Sequence, residues 1–203
     1  MQHITLDREE GVLVITLSRG KANALNCEMV DELQQALNHA GADDRTPGVV
    51  ITSGVPKMFC GGCDVQEVFA YAPEKLQTYM GHFIRLFDTL RTLPKPTVAG
   101  INGHSYGGGS ILALACDERL MAEGDFQFAL NEVTLGVVLP SRMVQAMAAV
   151  VTTSQTTTRY SQPDTSGTPA MPCAICSVKG LMKAPAKPVP AATKLRDTPT
   201  SES

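Results

Sequence analysis

Several features that mark particular classes of protein are missing from this sequence. Its 203 residues carry a formal net charge of −3, so there is no broad basic field of the kind that binds nucleic acid. No apolar run approaches the roughly 18 residues that a membrane span needs. Nor does the N-terminus show the charged leader and hydrophobic stretch of a signal peptide. We therefore expect a cytoplasmic protein that binds neither nucleic acid nor membranes.

The six cysteines are too few and too irregularly spaced for a disulfide-stapled secreted domain of this length, so we expect reduced thiols. Two Cys-X-X-Cys segments, 60–63 and 173–176, could in principle form the two halves of a zinc site. We do not favour that site, because the halves lie far apart in the sequence and in unlike contexts. No metal is therefore expected.

Strand-like and helix-like segments alternate along the first 150 residues. The runs predicted as strands are 4–6, 12–17, 49–52, 97–101 and 120–122, and the predicted helices are 26–41, 76–90 and 110–116. Asn26 fits the N-cap of the first helix, and Gly41 supplies its stop signal. A hydrophobic content of 43% is enough to fill one core, and the alternation makes the fold class α/β.

The composition changes after Val150. Residues 151–203 contain ten Thr, six Ser and seven of the thirteen Pro, with no sustained helical or strand periodicity. Six Lys and Arg residues against three Asp and Glu residues give this segment a positive charge, opposite in sign to that of the whole chain. We predict one domain over residues 1–150 and a disordered tail over residues 151–203.

Two glycine-rich turns, 59–65 and 102–109, follow predicted strands and precede helices. Glycine leaves the backbone N–H groups of such a turn unobstructed. The first amides of a helix favour an anion or a developing oxyanion, because they lack partners within the helix. A single glycine cluster is more often just a tight connection, but two such turns could clamp one carbonyl oxygen.

Four segments resemble motifs of the crotonase (enoyl-CoA hydratase/isomerase) superfamily in their residues and in their order along the chain: 21–26, 59–65, 102–109 and 130–136. The resemblance implies a spiral of β-β-α units that holds a CoA thioester. It implies that the backbone N–H groups of Cys63 and Gly108 bind the thioester oxygen. The substrate and CoA contacts that it implies come from Ala22, Ala24, Gly61, Gly62, Asp64 and Val65. Because CoA is part of the substrate, no separate cofactor is expected.

Hydratases of this superfamily use two glutamates, and this sequence keeps only one. The later glutamate matches Glu132, whereas the earlier position matches Ile111, which cannot orient an attacking water. One carboxylate is enough to remove a proton from C2 of a 3-enoyl thioester and return it at C4. The residues at 130–132 also resemble those of the Δ3,Δ2-enoyl-CoA isomerase branch more than those of the hydratase branch. We therefore expect an enoyl-CoA isomerase of fatty acid metabolism, with Glu132 as the catalytic base.

Other interpretations of these residues stay open. Without the resemblance, Glu132 would be taken for an N-cap or first-turn carboxylate, and Asp64 is favoured as an acid that complements the start of a helix. His104 is expected to be structural. The chain could also be a non-catalytic acyl-CoA-binding or interaction protein, or could catalyse hydration or thioester hydrolysis.

Members of the superfamily continue beyond the equivalent of Val150 with helices that close the acyl pocket and build a trimer. None of these helices is recognisable here, and residues 151–158 cannot supply an amphipathic helix. A frameshifted, alternatively spliced or truncated end would explain the difference. We expect the trimer interface to be compromised.

Overall fold

Strands and helices alternate through the part of the chain that is described. A computed structural model describes residues 1–132, 138, 139, 141, 143, 144 and 148, together with the backbone of 158–160. The strands are β1 (Ile4–Glu9), β2 (Val12–Leu17), β3 (Val49–Ser53), β4 (Lys57–Cys60), β5 (Thr97–Ile101), β6 (Gly103–Tyr106), β7 (Glu118–Ala122), β8 (Phe128–Ala129) and β9 (Thr158–Tyr160). The helices are α1 (Cys27–Ala42), α2 (Val65–Val68), α3 (Pro73–Thr92) and α4 (Gly108–Ala115).

An antiparallel hairpin opens the fold, as the sequence predicts. β1 pairs with β2 from Ile4 opposite Leu17 to Glu9 opposite Val12. Glu10 and Gly11 form the two-residue turn, with φ angles of 50° and 87°. Positive φ at both central residues matches the twist of the paired strands, and glycine adopts it without steric cost.

The later strands are added in pairs that divide between two sheets. β3, β5 and β7 extend the hairpin in parallel, giving the order β1-β2-β3-β5-β7-β9, whereas β4, β6 and β8 form a second parallel sheet. Helices α2 and α3 follow the first of these pairs, and α4 follows the second. This repeated β-β-α arrangement confirms the α/β fold class and the spiral that the resemblance implies.

Two amphipathic helices bury their apolar faces in the core. The Asn26 side chain caps α1 by accepting a hydrogen bond of 3.0 Å from the Met29 amide, as predicted. The buried residues of α1 are Met29, Val30, Leu33, Ala36, Leu37 and Ala40, and those of α3 are Tyr79, Phe83, Leu86, Phe87 and Leu90. Burying each large apolar side chain contributes about 1.5–3 kcal/mol, so the helical periodicity is what places α1 and α3.

Helix α4 is buried along its whole length. It packs so closely on β4 that a Cβ on Gly109 would lie 2.5 Å from the carbonyl oxygen of Cys60. Any side chain at position 109 would therefore push α4 away from β4. This close approach holds the start of α4 against the glycine-rich turn at 61–64.

The sequence failed to predict several short elements, because they are too short to show a hydrophobic period. These are β4, β6, β8 and the single-turn helix α2. The segment 102–109, taken as a turn, contains β6, and α4 begins at Gly108 rather than Ser110. Helix α3 begins earlier than predicted because Pro73 occupies its first turn, where the missing N–H costs nothing.

Little of the predicted tail lies within the described residues. Thr158–Tyr160 forms β9, which pairs in parallel with β7, Thr158 lying opposite Leu120. Regular backbone structure therefore occurs inside the segment predicted to be disordered. The rest of residues 151–203 lies outside the described residues, and the boundary at 150 stays a prediction.

Among the described residues, no helix is both long enough and apolar enough to cross a membrane. The cytoplasmic compartment stays a prediction.

Candidate active site

Two loops run side by side at one end of the large sheet. The amide of Gly61 donates to the carbonyl of Ala22 at 2.8 Å, and the amide of Leu25 donates to the carbonyl of Gly62 at 2.7 Å. The Asp64 amide donates to the carbonyl of Leu25 at 3.0 Å. The loop at 61–64 is thus hydrogen-bonded along its length to the loop at 22–25, although the two are far apart in sequence.

This pairing turns the Cys63 amide toward the start of α4. Leu25 and Cys63 form a parallel bridge in which Leu25 bonds to the two neighbours of Cys63, so the Cys63 N–H faces the other way. A Cβ on Gly108 would lie 3.4 Å from the Cys63 nitrogen, and a Cβ on Gly62 would lie 3.1 Å from the Gly108 nitrogen. Within the described part of the chain, neither the Cys63 nor the Gly108 amide has a backbone acceptor. Both predicted oxyanion donors therefore lie at one place.

Gly107 brings the Glu132 carboxylate to the same place. Its φ is 47°, in the left-handed region, and its amide donates to the carbonyl of Ala129 at 2.9 Å. A Cβ here would lie 3.3 Å from Glu132 Oε1 and 3.2 Å from Asn131 Oδ1. Glycine is needed at this position for its conformation and for space, and the carboxylate packs directly on the turn that precedes Gly108.

The Glu132 side chain is buried but incompletely hydrogen-bonded. Glu132 as a whole is 9% exposed, and its Oε1 atom has no hydrogen-bond partner among the described residues. Buried side-chain polar atoms almost always have a partner, and leaving one without costs about 1–3 kcal/mol. An unpartnered carboxylate oxygen beside two amides that donate to no backbone carbonyl of the described residues is the arrangement expected of a site that a ligand completes.

No second carboxylate accompanies Glu132 from α4. Ile111, at the position of the other hydratase glutamate, is 1% exposed and belongs to the apolar core. The nearby Ser110 hydroxyl donates to the carbonyl of Ser105 at 2.9 Å, so its proton is already engaged within the protein. Helix α4 therefore supplies backbone amides to the site rather than an acid or base.

Aromatic side chains from α3 close the site on its apolar side. Tyr79 is fully buried, donates to the carbonyl of Leu25 at 2.9 Å, and stacks on Phe83 with ring centroids 6.3 Å apart. The Phe83 Cζ atom would lie 3.2 Å from a Cβ on Gly108. Burial raises the pKa of the Cys63 thiol; a hydrogen bond with Tyr79 opposes this, and the Glu132 charge adds to it. The thiol is therefore held neutral, which makes it a poor nucleophile.

Arg19 joins the two loops from outside, a role that no sequence pattern pointed to. Its guanidinium donates to the carbonyl of Ala24 at 2.8 Å, to Asp64 Oδ2 at 2.7 Å and to Glu67 Oε2 at 3.0 Å. Burial alone would raise the pKa of the Asp64 carboxyl, but hydrogen bonds from Arg19 and from the Glu67 amide lower it overall. Asp64 is also the N-cap of α2, so the expectation that it complements a helix start is confirmed.

Replacing Arg19 by alanine should therefore loosen the loop that carries Cys63. The change removes three hydrogen bonds to charged or carbonyl oxygens from a side chain that is 21% exposed. We expect the free energy of unfolding in urea to fall by about 1.5–3 kcal/mol. The matched control is Arg45→Ala, whose side chain is 87% exposed in its pair with Asp43 and should change stability little. Equal losses in the two variants would contradict a joining role for Arg19.

The other predicted contact residues surround this loop pair. Ala22 and Ala24 are half-buried, and their carbonyl oxygens already accept hydrogen bonds from Gly61 and Arg19. Val65 opens α2 and is 39% exposed. Their contacts with CoA stay predictions, as do those of Gly61, Gly62 and Asp64.

His104 behaves as the structural residue that the sequence suggested. Its Nδ1 accepts a hydrogen bond of 3.1 Å from the Gln127 amide, and its ring stacks on Tyr106 with centroids 5.8 Å apart. Tyr106 lies on β6 beside His104, but the hydrogen bond and an edge-on contact with Phe126, at 5.6 Å between centroids, link β6 to the segment before β8.

Known proteins resemble this chain in sequence over about two thirds of its length. A probable mitochondrial enoyl-CoA hydratase 2 of Arabidopsis thaliana is 33% identical over 144 residues, which cover 70% of this chain and 48% of that protein. Mitochondrial enoyl-CoA delta isomerase 1 of Mus musculus is 35% identical over 131 residues, covering 64% and 45% respectively. This chain thus spans about half the length of these relatives.

Solved structures share the fold. An enoyl-CoA hydratase from Bacillus anthracis superposes with a TM-score of 0.64 at 33% identity, covering 68% of this chain and 54% of that one. The human mitochondrial delta3-delta2-enoyl-CoA isomerase gives a TM-score of 0.78 at 23% identity, covering 91% and 79%. The family model described as enoyl-CoA hydratase/isomerase matches residues 7–159, well over half of the chain. The chain belongs to the enoyl-CoA hydratase/isomerase family.

Proposed function

We propose that this chain moves the double bond of a 3-enoyl-CoA to the 2 position. The observation that carries the proposal is the buried Glu132 carboxylate, whose Oε1 lacks a partner and packs on the turn before the Gly108 amide. It is a single carboxylate beside two amides that donate to no backbone carbonyl of the described residues. That set suffices for a proton transfer coupled to an enolate, and it includes no second acid or base from α4.

In the proposed reaction, Glu132 removes a proton from C2 of the 3-enoyl thioester. The electrons of the broken C–H bond move toward the thioester carbonyl, whose oxygen becomes an enolate oxyanion. The amides of Cys63 and Gly108 donate hydrogen bonds to that oxygen, which is where charge develops in the transition state. The protonated Glu132 then returns its proton at C4, and the double bond lies between C2 and C3. The enzyme ends in its starting protonation state.

Hydration of a 2-enoyl-CoA requires more catalytic groups than isomerisation does, and helix α4 of this chain does not supply the second one. Water must be oriented and deprotonated while a proton is delivered to the substrate, which in hydratases of the family is shared between two glutamates. Ile111 is apolar and 1% exposed at the position of one of them. The relatives include both hydratases and isomerases at similar identity, so the distinction rests on this position.

The experiment that tests the proposal compares two substrates on one preparation. We expect the purified chain to convert a 3-enoyl-CoA to the 2-enoyl-CoA, and to hydrate the 2-enoyl-CoA only at background rate. Strong hydratase activity would contradict the interpretation of Ile111. Calorimetric titration with a saturated acyl-CoA distinguishes a further outcome: binding without turnover of either substrate would favour the non-catalytic acyl-CoA-binding protein.

The oligomeric state of the chain is also a proposal. The resemblance implies a family trimer, but we expect its interface to be compromised here, because the helices that build it in relatives are not recognisable beyond Val150. Measuring mass in solution, with and without acyl-CoA, tests whether this chain assembles as its relatives are expected to do.

A further inference from the structure

A separate cluster of reactive side chains lies between α1 and α3. Cys27, Asp31 and His82 each offer one ligand atom, and these three atoms lie within 4.8 Å of one another. All three residues are partly exposed, so a dissolved ion can reach them. Among the residues that the structure describes, no other group of three His, Cys, Asp or Glu side chains comes this close.

Helix geometry explains why these residues meet. Cys27 and Asp31 are four residues apart on α1 and therefore lie on one face, a single turn apart. His82 projects from α3, and its Nδ1 lies 2.6 Å from Asp31 Oδ1. Farther along the same two helices, Gln34 donates to the Thr89 hydroxyl at 2.9 Å, so α1 and α3 are held in register independently of the cluster.

The local charges favour a cation. Asp31 places a negative charge beside the Cys27 thiol. Glu28 and Glu67 add further negative charge near the thiol, and Lys75 adds a positive charge. Three carboxylates therefore outweigh one ammonium group around the thiol, and a positive ion placed there would meet net attraction.

We propose that Cys27, Asp31 and His82 form a binding site for a divalent transition-metal ion of the zinc class. Thiolate, imidazole and carboxylate are the ligands that Zn²⁺ uses in proteins, whereas Mg²⁺ and Ca²⁺ prefer oxygen ligands alone. Three protein ligands leave the fourth tetrahedral position open to water. This site uses none of the residues assigned to the acyl-CoA chemistry.

Small side-chain movements are enough to form the coordination sphere. Ligand bonds of about 2.0–2.3 Å at a tetrahedral ion place neighbouring ligand atoms roughly 3.3–3.8 Å apart. The 2.6 Å contact between Asp31 and His82 must therefore open by about 1 Å, and no pair of the three ligand atoms needs to close by more than about 1.5 Å from its 4.8 Å limit. The Asp31 and His82 side chains are 43% and 32% exposed, so they can rotate without disturbing the core.

Metal binding should have two measurable consequences. The ion takes the place of the thiol proton, so Cys27 binds as a thiolate. Because the ligands come from two helices, an occupied site ties α1 to α3 and stabilises the folded chain through mass action.

The test uses the full chain carrying Cys173→Ser and Cys176→Ser, which removes the distant Cys-X-X-Cys segment as a competing thiolate site. Co²⁺ is titrated as the probe, and the thiolate-to-cobalt absorption band is followed in the near ultraviolet. We expect a saturating band that Zn²⁺ displaces, and an increase of the Tm on adding Zn²⁺. Cys27→Ser should abolish both responses, and His82→Gln should weaken metal affinity at least about tenfold.

The matched control is His39→Gln, an exposed histidine in the last turn of α1 that lies outside the cluster. It should leave the cobalt band and the Tm increase unchanged. The proposal is overturned if no thiolate band appears, if the band survives Cys27→Ser, or if Mg²⁺ raises the Tm as much as Zn²⁺ does.

Discussion

Glu132→Gln should lower the rate of 3-enoyl-CoA isomerisation by about 10² to 10⁴, the loss typical when a general base is removed. Glutamine keeps the size of the side chain and one carbonyl oxygen, but it cannot accept the C2 proton at neutral pH. The side chain is 9% exposed and packs on the turn at Gly107, so the nearly isosteric change should preserve the fold.

Acyl-CoA binding separates the loss of chemistry from the loss of the site. Calorimetric titration of Glu132→Gln should give a dissociation constant close to that of the unmodified chain, because the backbone amides proposed to bind the thioester oxygen are unchanged. The matched control is Glu123→Gln, an exposed glutamate in the turn after β7, which should retain the full rate. An isomerase rate unchanged in Glu132→Gln would remove Glu132 from the mechanism.

Gly108→Pro should reduce isomerisation by about 10² to 10³, because proline has no N–H to donate to the enolate oxygen. Gly108 is the first residue of α4, the helix position at which proline is best tolerated. The missing N–H breaks no backbone hydrogen bond recorded among the described residues, so the effect should fall on activity rather than on α4 itself.

Two variants isolate the amide from the side chain. Gly108→Ala adds a Cβ that would lie 3.2 Å from Phe83 Cζ, as the Cβ of proline would, but it keeps the N–H and lacks the rest of the ring. Cys63→Ala removes the thiol and keeps the other amide, so it should be mild. Equal rates in Gly108→Pro and Gly108→Ala would show that crowding, and not the lost donor, causes the defect. A fall to background in folded Cys63→Ala would favour thiol chemistry over a backbone role.

The long, periodic elements of this fold could be predicted from the sequence, whereas the short ones could not. Helix α1 shows apolar residues at helical spacing and ends near Gly41, and its Asn26 cap is a local signal. β8 has only two residues, and no periodicity can be detected over that length. Its position follows from pairing with β6, which is a contact between distant parts of the chain.

Some features of the candidate site could likewise be predicted from the sequence, and others could not. The glycine-rich turns could be identified as candidates because their residue types and positions are local properties of the chain, whereas Glu132 was identified only through the resemblance of residues 130–136 to the superfamily. The role of Arg19 could not be predicted, because an arginine in a polar loop carries no signal of which carboxylates it will meet. Its partners Asp64 and Glu67 lie more than forty residues away, and only folding brings them to it.

The sequence by itself determined the hydrophobic faces of α1 and α3, the opening hairpin and the glycines that let backbone amides approach one another. Those properties depend on neighbouring residues and on the stereochemistry of each residue, so they can be read one segment at a time. Tertiary structure alone decided that the Cys63 amide turns away from Leu25 toward Gly108, and that Glu132 Oε1 is buried without a partner. It also decided that His82 of α3 meets Cys27 and Asp31 of α1. Each of these results requires contacts across the chain, because direction and burial are set by what packs on the other side of a residue and not by its neighbours in sequence.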